Sequence, residues 1–192
     1  MRPRLSRSYG ISRSTAYLDS PIPALFKERL FVSLSRFCQV RYCIARHCGF
    51  LVGYGHTSGD ALAARQTIEQ AVKLLKVPPP WRRPLEPIYE HLEAFKSVID
   101  WPDAESDAED WIFAMSALIF VEPTKSERAL QVLRQALGAK RLEYLLALLA
   151  FIRTAHYWTM VHPALEIEQD VRELMALHEE LASLLLQGSD LG

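Results

Sequence analysis

Between Ala24 and Phe37 the apolar residues Leu25, Phe26, Leu30, Phe31, Leu34 and Phe37 recur at threes and fours, the period of one face of an α-helix. The rest of the chain keeps this habit, and no stretch sustains the period-two alternation of a half-buried strand. The expected architecture is therefore all-α, a single domain of about seven or eight helices over residues 21–187. Pro21 and Pro23 precede the first helix, and a short break at Cys38–Gln39 separates it from a second over about Val40–Val52, ended by Gly53 and Gly55. A third helix, capped by Ser58 or Asp60, runs to about Lys76 and stops at Pro78–Pro80; a fourth covers Leu85–Ile99.

The acidic run Asp103–Asp110 reads as the solvated start of a helix over Trp111–Val121. Thr124 and Glu127 form a capping box for a helix that stops at Gly138. A long apolar helix from Ala139 to about Met160 and a last one over Ile167–Leu186 complete the set. Residues 1–20, with Arg2, Arg4, Arg7 and Arg13, read as a disordered basic tail, and 188–192 as a polar one.

At 192 residues the chain suffices for one domain burying about 70% of the surface of its unfolded form. A formal net charge of −1 supplies no field to gather nucleic acid or anionic lipid, so no nucleic-acid partner is expected. The apolar runs Trp111–Val121 and Tyr144–Ile152 are each about half of the ~20 residues that span a bilayer, which makes them core helices and gives no membrane partner. Three cysteines crowded into eleven residues cannot all pair, and the first seventeen residues lack the apolar run of a signal peptide. A reducing, cytoplasmic compartment is expected.

Chemistry concentrates in Glu28–Cys48, which holds Cys38, Cys43, Cys48, Glu28 and His47. Cys43 and His47 are four apart, on one face of the second helix, and Cys43 falls near its N-terminal turn. An imidazolium and a helix N-terminus each favour a thiolate. The competing reading is a buried helical hairpin that uses cysteine as a small apolar side chain. Cys43 with His47 offers half a metal site and no second pair follows, so neither metal nor cofactor is expected. No phosphate-cradling glycine loop occurs. His156 and His162, flanking Trp158, read as packed helical histidines that could also reach the hairpin.

The string Val40-Arg-Tyr-Cys-Ile-Ala-Arg-His47, following a glutamate-bearing helix, resembles the alkylhydroperoxidase D-like, or carboxymuconolactone decarboxylase-like, superfamily. Its members carry a C-x-x-C-x-x-x-H motif opening a helix, and here Val40 stands where the first cysteine belongs. The resemblance implies an attacking thiol at Cys43 and a proton relay through His47 and Glu28. The resolving thiol is missing, since Val40 has none. Cys38 and Cys48 lie five residues away, about 140° round a regular helix; Cys38, beside the break, is the possible resolving thiol. The resemblance also implies a homo-oligomer.

From about Pro23 to Leu186 the chain is further similar to the N-terminal module ahead of PAS and histidine-kinase domains in some bacterial sensor proteins. Those proteins continue beyond the point where this sequence ends, at Gly192. A stand-alone copy, a truncated product and a shortened piece all fit. Three functions follow: a degenerate sensory or interaction module, with a signalling partner; a thiol-dependent peroxidase or oxidoreductase in which an external thiol resolves Cys43; and a structural self-associating domain. The first is the leading expectation.

Overall fold

The computed structural model describes residues 21–54, 66–95 and 99–186. Their fold is all-α, with no strand among the described residues. Eight helices follow one another: α1 (Ala24–Phe37), α2 (Arg41–Leu51), α3 (Ile68–Lys76), α4 (Glu86–Glu93), α5 (Asp107–Val121), α6 (Glu127–Met160), α7 (Gln169–Leu177) and α8 (Glu179–Leu186). Short 3-10 turns, Pro80–Arg82 and Pro123–Lys125, precede α4 and α6. Both expected tails lie outside the described residues.

The fold is built around α1. Every residue from Phe26 to Arg36 is buried, and α2, α3, α5 and α6 all contact this helix. It ends in a Schellman motif. The Val40 amide donates to Ser35 O at 2.9 Å and the Gln39 amide to Arg36 O at 3.1 Å, with Gln39 in the left-handed region at φ 57. That turn reverses the chain, and α2 lies back against α1. Buried Arg36 then reaches across to the last carbonyls of α3, donating to Leu74, Leu75 and Val77 and satisfying that helix end.

Several expected boundaries moved. α3 begins at Ile68 with a capping box of its own: Thr67 Oγ1 accepts from the Gln70 amide at 3.2 Å and Gln70 Oε1 from the Thr67 amide at 3.0 Å. Ser58 and Asp60 lie outside the described residues. α4 stops at Glu93, well short of Ile99, whose amide is instead bonded to Ala136 O. α5 starts at Asp107, capped by Ser106, so the second half of the acidic run is helix. Nor is that run wholly solvated: Glu109 is 3% exposed and takes both of its oxygens to Arg29 of α1, at 2.7 Å each.

Thr124 does not cap α6. Residues Pro123–Lys125 form the 3-10 turn, and the Ser126 hydroxyl donates back to Leu118 O and Glu122 O, tying α6 to the end of α5. Gly138 breaks the helical run as expected: at φ 72 and ψ 161, a conformation open essentially to glycine alone, it parts α6 into two helical segments. The last expected helix is two, α7 and α8, parted at His178 (φ −134, ψ 88). No helix is long and apolar enough to cross a membrane, among the described residues.

Candidate functional site: the α1–α2 hairpin

Glu28, Phe31 and Ser35 recur at threes and fours on α1, so one stripe of the central helix faces α2 and α6. Cys43, His47 and Phe50 do the same on α2. The hairpin brings these stripes together, and α6 closes over them with Phe151, His156 and Thr159, all buried.

Of the expected site residues, Glu28 and His47 meet directly. Glu28 Oε2 lies 2.6 Å from His47 Nδ1, and the carboxyl is almost wholly removed from solvent. A carboxylate can only accept, so Nδ1 carries the hydrogen and donates it. The imidazole lies flat on Phe31, with ring centroids 3.6 Å apart, and meets the edge of Phe50 at 5.3 Å. Packing on both sides fixes its plane and keeps Nδ1 on the carboxylate.

The thiol is bonded elsewhere. Cys43 stands in the first turn of α2, as expected, but it is 3% exposed and its sulfur lies 3.4 Å from Thr159 Oγ1, its hydrogen-bond partner among the described residues. Burial pushes the Cys43 thiol up to about 11, against a smaller downward pull from the Thr159 hydroxyl. Desolvation outweighs whatever the helix N-terminus offers. Val40, buried at the N-cap of α2, presents only an isopropyl group where a resolving sulfur would be needed.

Neither neighbouring cysteine is better placed. Cys48 is fully buried, and burial together with the negative charge of Glu28 pushes its thiol up to about 12. Cys38 is half-buried; burial raises its thiol and the nearby Arg153 guanidinium opposes that. All three are free thiols.

Sequence reasoning named His156 without a partner and missed Thr159, Ser35 and Arg153. His156 Nε2 lies 2.8 Å from Ser35 Oγ, between the edges of Phe31 and Phe120. Burial, reinforced by His47 and Arg153, lowers it to about 3, so it is a neutral ring at any ordinary pH. His162 is neither packed nor helical: it lies exposed just past the end of α6 and stacks back on Trp158. Tyr42 and Arg46 were missed too: Tyr42 donates to Glu168 at 2.5 Å and Arg46 to Asp170 at 2.9 Å, strapping the start of α7 over α2. Gly49 lets those helices close, since a Cβ there would meet Val171 Cγ2 at 3.0 Å.

No family model, curated protein or solved structure matches the chain. Among the described residues, no group of three or more histidine, cysteine, aspartate or glutamate side chains is gathered to hold a metal ion. Taken by its chemistry, the hairpin holds a fixed acid–imidazole pair beside a thiol that is kept protonated.

Proposed function

We propose that this chain is an alkylhydroperoxidase D-like helical module that has left peroxidase chemistry and acts as a sensory or interaction domain. The observation that carries the reading is the state of Cys43: walled in, bonded to Thr159 and pushed up to about 11. Peroxide is attacked by a thiolate. A thiol at about 11 leaves about one molecule in ten thousand ionised at neutral pH, a hundredfold fewer than a thiol at the ordinary value of 9.0. Val40 removes the built-in route for reducing an oxidised sulfur. On this reading Glu28 and His47 serve as a clasp between α1 and α2.

A second reading rests on that same clasp. Glu28 and His47 touch at 2.6 Å, the arrangement a proton relay needs, which favours a thiol oxidoreductase resolved by an external thiol. Hydroperoxide consumption with a dithiol reductant separates the two. The module reading expects a rate equal to the protein-free blank and unchanged by Cys43→Ser. Turnover abolished by Cys43→Ser but kept in Cys48→Ser would overturn it.

The compartment proposed is the cytoplasm, supported by three free thiols. The partner proposed is a second copy of the chain. Exposed Tyr157, Met160 and Val161 share the last turns of α6, an apolar patch suited to such an interface. Light scattering at micromolar concentration is expected to give more than the monomer mass; a monomer alone would remove this assignment.

A further inference from the structure

On α1 the stripe opposite the thiol hairpin is Arg29, Ser33 and Phe37, which faces α3 and α5. There the helices do not close. A cavity of about 220 Å³ lies between Ser33 and Phe37 of α1, Leu74 of α3, the turn at Pro80, and Phe113 and Ala114 of α5. Its walls are held from behind. Arg36 fixes the end of α3, and the buried Arg29–Glu109 pair fixes the start of α5 to α1.

One buried donor of this cavity has no acceptor among the described residues. Arg83, in its lining, spends its terminal nitrogens on Asp110 at 2.9 and 2.6 Å, while its Nε is buried without a partner. Ser33, a buried residue at 6% exposure, lines the same cavity with a hydroxyl that can donate. Buried polar groups in folded proteins are nearly always satisfied, so an unanswered Arg83 Nε–H in the lining, with the Ser33 hydroxyl in the same wall, marks a place for an acceptor.

The charges limit what that acceptor can be. Lys73 and Arg83 line the cavity against Glu105, Asp107, Glu109 and Asp110, and both cations are already paired, Lys73 with Glu105 at 2.8 Å. A carboxylate or phosphate would meet an excess of negative charge with no cation to spare. An ammonium would bring donors only and leave the Arg83 Nε–H unanswered. Gln70 and Ser106, both engaged in helix caps, add polar lining, and the rest of the wall is apolar, with Phe37, Leu74, Val77, Phe113 and Ala114 in it. An engineered cavity of about 150 Å³ takes benzene, so 220 Å³ takes a single ring with a short substituent.

We propose that this cavity is a binding site for a small uncharged molecule with an apolar ring and a hydrogen-bond-accepting oxygen, of the class of aromatic ketones, held by Ser33 and Arg83 against Phe37 and Phe113. The site is on the other face of α1 from Cys43 and does not depend on the proposed function of the thiol hairpin. Titration calorimetry of the full chain with acetophenone, ethylbenzene, benzoate and benzylamine tests it. Acetophenone is expected to saturate one site, with ethylbenzene about fivefold weaker for want of the oxygen and the two ions weaker still. Ser33→Ala should weaken acetophenone about fivefold and leave ethylbenzene unchanged. Ala114→Leu, which fills the cavity, should abolish both, with the fold checked by far-ultraviolet circular dichroism. No saturable acetophenone binding, tighter binding of either ion, or equal affinities in Ser33→Ala would each overturn the proposal. If Ala114→Leu fails to fold, the Ser33→Ala comparison decides alone.

Discussion

Removing the Glu28 carboxyl should be among the most damaging single changes in the hairpin. Glu28 is 3% exposed and bonded to His47 at 2.6 Å, and the imidazole, stacked on Phe31 at 3.6 Å, cannot swing to another acceptor without leaving its packing. Leaving a buried donor without its acceptor costs about 1–3 kcal/mol, the desolvation of the orphaned group. Glu28→Ala, which also removes a buried methylene, should therefore lose about 2–4 kcal/mol. Glu28→Gln keeps an acceptor oxygen and loses only the charge assistance, about 1–2 kcal/mol. Urea unfolding followed by circular dichroism measures both, with an unchanged m-value as the check that the midpoint shift reports stability. There is a second readout. The Glu28 charge is one of the two causes holding the Cys48 thiol up at about 12, so Glu28→Gln should bring that thiol down. A Glu28→Ala variant within about 0.5 kcal/mol of the parent would refute the clasp, since surface changes of no consequence fall in that range.

Other outcomes follow from the same physics. Gly138→Ala should cost about 1–3 kcal/mol by thermal or urea unfolding, because φ 72 with ψ 161 is barred to a residue with a Cβ. Arg29→Met should cost about 3–5 kcal/mol by leaving Glu109 buried and unpaired, and adding Glu109→Met should recover much of it. Stability should fall as pH rises from 9 toward 11. The Cys43 thiol ionises near 9 when unfolded but only about 11 when folded, so the unfolded state loses its proton first and gains by it, about 3 kcal/mol in all. Unfolding midpoints measured across that range should fall less steeply in Cys43→Ala, with the Cys48 thiol, held up at about 12, keeping its own share of the slope.

Much of the backbone was legible. The apolar spacing of Leu25 to Phe37 located α1 to the residue, the break at Cys38–Gln39 is the Schellman turn, and Cys43 does open the next helix. Periodicity says which face of a helix is buried but not against what. Thr159, which takes the Cys43 hydrogen bond 116 residues away, therefore left no mark, nor did the pairing of Arg29 with Glu109 across 80. The acidic run looked uniformly solvated because charge in a sequence does not show burial, and Glu109 is buried. The apolar pattern of 167–186 continues through His178, so the break there was invisible. The T-x-x-Q capping box at Thr67–Gln70 is legible in the sequence as a cap closer to the helix than Ser58 or Asp60.

The claim on which the functional reading turns is that Cys43 is held as a protonated thiol. Iodoacetamide alkylation of the native protein across pH, read by peptide, measures it directly. Trypsin cutting at Arg36, Arg41 and Arg46 places Cys38, Cys43 and Cys48 on separate peptides. The account predicts a Cys43 midpoint near 11, with a rate at neutral pH about a hundredfold below that of an ordinary thiol. A midpoint at or below about 8.5 would contradict it and return Cys43, His47 and Glu28 to catalysis.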